Sequence, residues 1–334
     1  MKYLVTGSAG FIGNHTALRL LDEGHEVIGI DNFNSYYERS LKEARNNRIK
    51  DHPNFTLYRE GIEDIATIKK IFAAHRPQRV IHLAAQAGVR YSLVDPEAYT
   101  RSNINGTLSI LEACRDYPVE HLVYASTSSV YGANTEMPFK ETDGVDHPVS
   151  LYAATKRGNE LMAHTYSYLF KIPTSGLRFF TVYGPWGRPD MSFFLFTKSI
   201  LEGKPIDIYN HGNMERDFTY VDDIVSGILN VVGTIPTEMG DTKNMTPDHS
   251  PVAPFQIYNI GNNKRVKLMD YIETLEKIIG GEAKKNFLPL QKGDVLKTYA
   301  SVDKLEKYAG YRPSTPVEVG LKHFVDWYRD YYKI

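Results

Sequence analysis

Cysteine is almost absent from this sequence, because Cys114 is the only one in 334 residues. A single cysteine excludes a disulfide framework, and it excludes a metal site built from cysteine thiolates. No apolar run approaches the roughly 20 residues that a membrane-spanning helix needs. The formal net charge of -1 gives no indication of nucleic acid or an anionic membrane surface as a partner. We therefore expect no metal, no membrane insertion and no bound nucleic acid.

The composition is that of an ordinary globular protein that can bury a sizeable core, with 42% hydrophobic and 24% charged residues. The length suits one large α/β domain with a smaller part attached. Residues 1–5 run directly into a glycine-rich turn, which leaves no room for a signal peptide. These features predict a soluble, cytoplasmic protein.

The N-terminus carries a pattern typical of a dinucleotide-binding site. A short apolar strand over residues 3–6 is followed by Gly7, Gly10 and Gly13 and then by an amphipathic helix. The glycines let the backbone approach a pyrophosphate, which the helix N-terminus attracts. The next strand ends about twenty residues later at Asp31, where a carboxylate meets the adenosine ribose and repels a 2′-phosphate. Glycines alone are as typical of a tight turn, but this combination predicts NAD rather than NADP.

Strands and helices then alternate, as a doubly wound parallel sheet requires. A strand over residues 121–125 delivers a Ser/Thr cluster at its carboxyl end, where such sheets bind ligands. Thr127 is therefore placed to share a substrate hydroxyl with Tyr152, although such a cluster is more often a turn or a cap. Small residues over 84–88 follow another strand and let a cofactor lie against the chain, with a packed turn as the alternative.

Proline and glycine become dense over residues 184–190, which indicates a change of structure. We expect residues 1–183 to form an NAD-binding Rossmann-like domain, with some later segments returning to it. Residues 184–334 are expected to form mainly a smaller, mixed α/β substrate domain. A surface loop is predicted over residues 233–254, and one helix over residues 96–115.

Tyr152 and Lys156 form the second pattern that indicates chemistry. Ser150 is in the position of an N-cap, and apolar residues over 161–169 recur at helical spacing. Tyr152 and Lys156 then project from one helix face. A cation beside a phenol favours the phenolate, so Tyr152 is predicted to act as a general acid/base. The alternative is a solvated helix face, but no other tyrosine here has a lysine four residues later.

These motifs resemble those of the extended short-chain dehydrogenase/reductase family, and within it the nucleotide-sugar 4-epimerases, over essentially the whole chain. Residues 85–92 and 184–191 look like the UDP-glucuronate 4-epimerase branch in particular. The motifs that carry the broader resemblance are Gly7/Gly10/Gly13, Asp31, Tyr152/Lys156 and residues 83–86, 125–132 and 216–223. One departure is Gly61, which replaces an acidic residue near adenine and passes that contact to Glu60 or Glu63.

The resemblance implies specific roles for the residues that match the family. Tyr152 takes the proton of the sugar 4-hydroxyl, Lys156 holds the nicotinamide ribose and lowers the Tyr152 pKa, and Thr127 positions the hydroxyl. The residues that contact NAD are expected to be Gly7, Ala9, Gly10, Phe11, Ile12, Gly13, Asp31, Asn32, Ile62, Leu83, Ala84, Ala85, Gln86, Asn103, Ser126, Tyr152, Lys156 and Phe179.

The substrate is expected to be a UDP-sugar. Arg216 and Asp294 are the family-matched candidates for binding the diphosphate and the uridine ribose, and a surface ion pair with Glu215 or Asp217 is the alternative for Arg216. The remaining residues expected to contact the sugar are Arg90, Thr127, Ser128, Ser129, Thr181 and Arg188.

Two observations favour glucuronate as the sugar. Dehydratases and decarboxylases of this family place carboxylates where this chain has Ser128 and Ser129. Arg188 supplies a planar guanidinium that matches a carboxylate, and Arg90 reinforces the positive field, although both arginines could instead contact phosphate or the surface. The alternatives are a 4-epimerase of UDP-glucose or UDP-N-acetylglucosamine, or a non-catalytic NAD-binding sensor. The family commonly pairs two subunits, so a homodimer is expected.

Overall fold

The structure, a computed structural model, describes residues 1–238, 245–291 and 295–334. The strands of these residues, in chain order, are β1 Lys2–Thr6, β2 Glu26–Ile30, β3 Phe55–Tyr58, β4 Arg79–His82, β5 His121–Thr127, β6 Thr174–Phe179, β7 Thr181–Tyr183, β8 Pro205–Ile208, β9 Glu215–Tyr220, β10 His249–Ser250, β11 Phe255–Ile260, β12 Arg265–Lys267 and β13 Lys284–Phe287.

The α-helices of the same residues pack around these strands. In chain order they are α1 Phe11–Asp22, α2 Arg39–Asn47, α3 Ile65–His75, α4 Pro96–Tyr99, α5 Gly106–Asp116, α6 Leu151–Phe170, α7 Ser192–Leu201, α8 Val221–Gly233, α9 Leu268–Ile279, α10 Asp303–Ala309 and α11 Val317–Tyr332.

Eight strands form the central sheet, in the order β10-β11-β6-β5-β4-β1-β2-β3. Neighbouring strands are parallel except for β10, which runs antiparallel to β11. The order of β1 to β6 is that of a dinucleotide-binding doubly wound sheet, in which the order reverses between β1 and β4. The prediction of a Rossmann-like α/β fold is therefore confirmed.

Strand β1 lies in the middle of this sheet and is buried on both faces. Tyr3 and Val5 belong to one hydrophobic cluster, and Leu4 belongs to the cluster on the other face. Successive side chains of a strand point to opposite faces, so a central parallel strand requires an unbroken apolar run. Residues 3–5 provide that run.

Helix α6 begins where the sequence predicts. Ser150 has extended backbone angles, and its Oγ accepts a hydrogen bond from the backbone N–H of Ala153 at 3.1 Å. Such a cap satisfies one of the unpaired N–H groups of the first turn and contributes about 1 kcal/mol. The cap fixes the start of the helix just before Tyr152.

The single helix predicted over residues 96–115 is wrong in its middle part. Helix α4 is followed by a π-helical turn, Thr100–Asn105, before α5 continues the chain. A π-helical turn adds a residue to the helical repeat and often occurs at functional sites. Asn103 lies within this turn and is buried. Its side chain hydrogen-bonds a residue that lines the cleft.

The C-terminal part contains two small sheets. Strands β12, β9 and β7 form one of them, and β13 pairs with β8 in the other. Strands β10 and β11 nevertheless join the central sheet, so the chain returns to it after residue 184. The loop predicted over residues 233–254 contains β10, and its residues 239–244 lie outside the described part. The division at residue 183 stays a prediction.

Within the described ranges, none of the helices is long and apolar enough to cross a membrane. In the same part of the chain, the acidic, histidine and cysteine side chains do not gather in groups that could hold a metal ion.

Candidate active site

A long cleft follows the carboxyl ends of the central strands. One end is lined by the glycine-rich turn after β1, and the middle by Thr127 and Tyr152. The other end is lined by Arg188 and by residues of the small sheets, such as Arg216. Ligands bind at this edge of an open α/β sheet because the strand order reverses there.

The glycine-rich turn fits a dinucleotide because its backbone is packed tightly at the start of α1. A Cβ on Gly13 would lie 2.0 Å from the Gly7 carbonyl oxygen, and one on Gly10 would lie 2.9 Å from the same atom. Gly7 itself has a φ of 74°. Side chains at these positions would therefore push α1 away from β1. The first N–H groups of α1 remain directed at the cleft, where they attract a pyrophosphate.

Asp31 lies at the end of β2 and lines the cleft. Its two carboxylate oxygens accept hydrogen bonds from the backbone N–H of Ala9 at 3.1 Å and of Phe33 at 2.8 Å. Lys42 approaches the same carboxylate at 3.9 Å. Each oxygen can accept a further bond, so Asp31 can bind a ribose hydroxyl while it holds the glycine-rich turn.

Thr127, Tyr152 and Lys156 meet at the end of β5. Thr127 is the last residue of this strand, and the other two residues lie in the first turns of α6. Lys156 is 3% exposed and its Nζ donates to the carbonyl oxygen of Ala125 at 2.7 Å. The Thr127 hydroxyl donates to Ser129 Oγ at 3.2 Å. All three predicted catalytic side chains line one stretch of the cleft.

The pKa of Tyr152 differs from the prediction. Burial raises the pKa of Tyr152, and the hydrogen bond with Thr127 and the positive charge of Arg188 oppose that increase only in part. Burial also lowers the pKa of Lys156 to about 8, against the attraction of Glu160. In the protein by itself the Tyr152 pKa is therefore raised, whereas the sequence analysis expects Lys156 to lower it. The ammonium group of Lys156 is directed at the Ala125 carbonyl, and the cation that acts on the phenol is Arg188.

A buried ion pair between Glu160 and Arg178 lies next to the end of β5. The Glu160 carboxylate accepts from Arg178 Nε at 2.9 Å and from Arg178 NH2 at 3.0 Å. Both side chains are at most 1% exposed. Glu160 also accepts from Ser126 Oγ at 2.6 Å, which holds the end of β5 next to Thr127. Burial opposes the charge of Glu160, but Arg178 lowers its pKa below the ordinary value.

Asn103 does not line the cleft but fixes a residue that does. Its amide oxygen accepts from the Gln86 N–H at 2.8 Å, and its amide nitrogen donates to the Gln86 carbonyl at 3.1 Å. The same nitrogen donates to Thr155 Oγ1 at 3.0 Å. The π-helical turn therefore connects the segment after β4 to the catalytic helix.

Arg188 lies in the irregular segment between β7 and α7 and already has a carboxylate partner. Its Nε donates to Asp190 Oδ1 at 3.0 Å, and its NH2 donates to the other oxygen. Tyr36 donates to Asp190 Oδ2 at 3.0 Å. Burial opposes the charge of Arg188, but Asp190 raises its pKa. A sugar carboxylate therefore has to approach the NH1 side or displace Asp190.

The other predicted sugar residues have different surroundings. Arg216 lines the cleft and donates to the backbone carbonyls of Glu215 at 2.9 Å and Leu296 at 3.0 Å. Arg90 lines the cleft with its guanidinium over the Tyr209 ring, 4.6 Å from the centroid. Asp294 lies outside the described residues.

The cleft brings together most of the residues predicted from the sequence. Ala9 and Asn103 are the exceptions within the described part of the chain, because both act through hydrogen bonds to a lining residue. Of the two candidates for the adenine contact, Glu60 lines the cleft beside Ile62. The predicted residues that do line it are Gly7, Gly10, Phe11, Ile12, Gly13, Asp31, Asn32, Ile62, Leu83, Ala84, Ala85, Gln86, Arg90, Ser126, Thr127, Ser128, Ser129, Tyr152, Lys156, Phe179, Thr181, Arg188 and Arg216.

The sequence analysis missed several charged or phenolic residues of the cleft, among them Tyr36, Lys42 and Asp190. Helix α2 was also missed, although its buried Leu41, Lys42 and Arg45 recur at helical spacing. That spacing, directly after the segment that begins with Asp31, is the signal that could have found Lys42. Nothing in the local sequence indicates that Tyr36 and Asp190 meet.

The fold and the site together define a class of protein. A dinucleotide-binding turn, a tyrosine and a lysine on one helix, and a second substrate-binding part are the elements of a nicotinamide-dinucleotide-dependent enzyme acting on an alcohol. Residues 3–244 match the NAD dependent epimerase/dehydratase family, and the chain belongs to that family.

Comparison with individual proteins shows which members of the family this chain resembles. A Rhizobium meliloti protein named "Probable UDP-glucuronate 4-epimerase" is 48% identical and matches 100% of this chain and 98% of its own length. "UDP-glucuronate 4-epimerase 2" of Arabidopsis thaliana is 45% identical over 100% of this chain and 77% of its own. The crystal structure of the Bacillus cereus UDP-glucuronic acid 4-epimerase with UDP-glucuronic acid and NAD is 35% identical, with a TM-score of 0.88 over 99% of this chain and 100% of that one.

Proposed function

We propose that this protein is an NAD-dependent 4-epimerase that interconverts UDP-glucuronate and UDP-galacturonate through a transient 4-keto sugar. The observation that carries this proposal is the Arg188 guanidinium in the same cleft as Tyr152, close enough for its charge to lower the Tyr152 pKa. A cation beside the reacting hydroxyl suits a sugar that carries a carboxylate. The similarity to enzymes named for UDP-glucuronate supports the same substrate.

In the proposed mechanism Tyr152 accepts the proton of the sugar 4-hydroxyl and later returns it to the reduced carbon. NAD bound in the cleft supplies a reversible acceptor for the C4 hydride. Thr127 hydrogen-bonds the same hydroxyl, and Lys156 is placed to hold the nicotinamide ribose. Burial raises the Tyr152 pKa, and the positive charge of Arg188 opposes that increase. Arg188 therefore favours the phenolate that accepts the proton.

The 4-keto sugar must then present its other face, so the protein has to hold the nucleotide firmly and the sugar loosely. Arg216 is the proposed contact for the diphosphate, and Asp294, outside the described residues, is the proposed contact for the uridine ribose. Ser128, Ser129 and Thr181 offer hydroxyl groups to the sugar and no carboxylate. Elimination and loss of CO₂ therefore lack the acidic residue that assists them in related enzymes.

The oligomeric state and location are part of the proposal. Leu108 on α5 is 38% exposed, and Leu161 and Leu169 on α6 are 54% and 58% exposed. We expect these apolar side chains to be covered in a homodimer of paired α5 and α6 helices. We also expect this dimer to act in the cytoplasm, with residues 184–334 forming mainly the substrate-binding part.

The test is to incubate the purified protein with UDP-glucuronate, without added cofactor, and to follow the sugar by NMR. The expected result is the growth of UDP-galacturonate signals to a constant ratio, because NAD remains bound through purification. Parallel incubations with UDP-glucose and UDP-N-acetylglucosamine are the comparison. Conversion of a neutral sugar alone would assign the protein to that substrate. Failure to convert any of the three, with NAD bound and the fold intact, would support a non-catalytic sensor.

A further inference from the structure

Arg45 is a buried arginine of α2 whose hydrogen bonds hold the segment that carries Arg188. Its Nε and NH2 donate to the Trp186 carbonyl at 2.9 and 2.7 Å, and its NH2 also donates to the Gly187 carbonyl at 3.0 Å. These two carbonyls belong to the two residues directly before Arg188. Arg45 is 0% exposed, and within the described residues its hydrogen-bond acceptors are all neutral oxygens.

The segment depends on these bonds because it has no regular secondary structure. Trp186 has a φ of 61°, a left-handed conformation that bulky residues rarely adopt. That conformation turns successive carbonyls toward Arg45, and without the guanidinium they would lose buried hydrogen bonds. The Trp186 indole lies 5.2 Å from the rings of Trp327 and Tyr331, so the side chain is held separately by α11.

Tyr36 is a second residue that stabilises the position of Arg188, through Asp190. Its hydroxyl donates to Asp190, the residue that pairs with the Arg188 guanidinium. A Cβ on Gly88 would lie 2.4 Å from the Tyr36 hydroxyl, so the position of Tyr36 depends on the absence of a side chain there. The Tyr36 ring also contacts Tyr91, with the centroids 4.8 Å apart.

The same part of the chain contacts the cofactor end of the cleft. Arg45 NH1 donates to the carbonyl of Ala9 in the glycine-rich turn at 3.4 Å and to the Tyr37 hydroxyl at 2.6 Å. Tyr36 and Arg45 both follow Asp31, which holds the N–H of Ala9. One stretch of chain, residues 31–45, thus contacts both the dinucleotide-binding turn and the segment that carries Arg188.

We propose that Arg45 is a positioning residue for substrate selectivity, which acts by holding the backbone before Arg188, and that Tyr36 supports it through Asp190. This inference rests on the proposed function, because it requires Arg188 to bind the sugar carboxylate. Arg45 does not line the cleft, so it acts through Arg188 rather than on the sugar. A charge-assisted bond is sensitive to the positions of its two groups. For a reacting group, a displacement of about 1 Å can lower the reaction rate about 100-fold.

The test measures the dissociation constants of UDP-glucuronate and UDP-glucose by calorimetry. The NAD-saturated protein carries Tyr152→Phe in every sample, so that neither sugar is converted. Arg45→Met is expected to weaken UDP-glucuronate binding about tenfold and UDP-glucose binding less than about twofold. Compared with Arg45→Met, Arg45→Lys keeps the charge but not the planar set of donors. It should therefore keep only part of the preference for UDP-glucuronate over UDP-glucose.

The matched control is Arg48→Met. Arg48 follows the last residue of α2 and its guanidinium lies 5.1 Å from the centroid of the Trp186 ring, but its side-chain hydrogen bond goes to Asn14 and not to a carbonyl of the Arg188 segment. Its loss should therefore leave the ratio of the two dissociation constants within about twofold of the parent. A change as large as that of Arg45→Met would overturn the proposal, because loss of any nearby charge would then be sufficient.

A double variant shows whether Arg45 acts through Arg188. In the Arg188→Ala background, Arg45→Met should cause no further loss of uronate preference, since the two changes remove one interaction. Independent, additive losses would overturn the positioning role. If Arg188→Ala alone does not lower the preference, the proposed function of Arg188 fails and this inference fails with it. If Arg188→Ala lowers it and both Arg45 variants do not, only the positioning role fails.

Tyr36→Phe keeps the proposal testable if Arg45→Met does not fold. Removal of one hydroxyl from the Asp190 contact should lower the uronate preference about threefold while the melting temperature stays near that of the parent. Tyr58→Phe is its control, because the Tyr58 hydroxyl bonds His75 at 2.7 Å on the outer strand of the sheet. An unchanged ratio in the folded Tyr36→Phe variant would overturn the supporting role of Tyr36. Equal changes in Tyr36→Phe and Tyr58→Phe would do the same.

Discussion

The middle of the cleft and its sugar end are built in different ways. Thr127, Tyr152 and Lys156 lie on a central strand and on the capped start of a long helix. Arg188 lies in an irregular segment, and its position depends on Asp190 and on Arg45 from a distant helix. The middle of the cleft is thus held by regular secondary structure, whereas the sugar end is held by side chains from separate parts of the chain.

This difference suggests a division between chemistry and selectivity. In the proposed mechanism, proton transfer at the sugar hydroxyl requires Tyr152 at one fixed position, which a sheet edge and a capped helix provide. The proposed contact to the sugar carboxylate lies on a separate segment, which Arg45 and Asp190 hold in place. Substitutions in the middle of the cleft should therefore change turnover or stability, and those at the sugar end should change the preferred sugar.

The largest effect is expected for Tyr152→Phe in the middle of the cleft. The change removes one oxygen and little volume, so the fold and the NAD content should remain. Turnover of UDP-glucuronate should fall by at least the 10² to 10⁴-fold that is typical of a general acid/base. Initial rates measured by NMR check this, and a variant that keeps about one third of the parent rate would show that Tyr152 is not the base.

Glu160→Gln should test whether the catalytic strand depends on the buried ion pair. The change leaves Arg178 charged and without its carboxylate, which typically costs about 3–5 kcal/mol of unfolding free energy. Denaturant unfolding measures this loss. Glu43→Ala is the control, because its pair with Arg59 lies at the surface and should contribute less than about 1 kcal/mol. Equal losses in the two variants would contradict the supporting role of the buried pair.

Lys156→Met should stabilise the folded protein after bound NAD has been stripped from it. Burial lowers the Lys156 pKa from 10.5 to about 8, so the buried charge costs up to about 3 kcal/mol below pH 8. Between about pH 8 and 10.5 the unfolded state binds more protons, so this cost fades as the pH rises. The melting temperature of Lys156→Met should exceed that of the parent at pH 7, and the difference should narrow across this window.

The control for that measurement is Lys70→Met, which removes an exposed lysine from α3 and should leave the melting temperature unchanged. A Lys156→Met protein that is less stable than the parent at pH 7 would show that the bond to the Ala125 carbonyl outweighs the burial of the charge.

Arg188→Ala at the sugar end should change selectivity more than turnover. A charge-assisted pair in a partly desolvated site contributes about 2–3 kcal/mol, so kcat/KM for UDP-glucuronate should fall about 10- to 100-fold. Activity with UDP-glucose should change much less, because that sugar offers no anion. Arg188→Lys should recover only part of the loss. Equal losses with both sugars would assign Arg188 to the diphosphate or to the shape of the segment.

The smallest effect is expected for Asp31→Ala at the adenosine end. Removal of one hydrogen-bonding carboxylate should weaken NAD binding by about tenfold and relax the rejection of NADP. Calorimetry with both dinucleotides on cofactor-stripped protein measures the two affinities. A preference of the unaltered protein for NADP would contradict the role of Asp31. It would also show that Lys42, 3.9 Å from the carboxylate, dominates the site.

The sequence was sufficient for those parts of the site in which neighbours in the chain are neighbours in space. Gly7 to Gly13 form one turn, and Tyr152 and Lys156 share one helix face, because helical spacing alone brings residues four apart together. The strand order of β1 to β6 follows from the alternation of strands and helices and the right-handed crossovers between parallel strands. The glycine-rich turn and the shared helix face of Tyr152 and Lys156 could therefore be predicted.

Tertiary structure decided the contacts between distant segments. The sequence does not indicate that Asp190 pairs with Arg188, that Tyr36 reaches Asp190, or which of the later segments rejoin the central sheet. It also does not indicate that the Tyr152 pKa is raised, because burial is a property of packing and outweighs the charges around the phenol. Periodicity reports which residues share a face of one element, whereas desolvation and side-chain pairing depend on which elements the folded chain brings together.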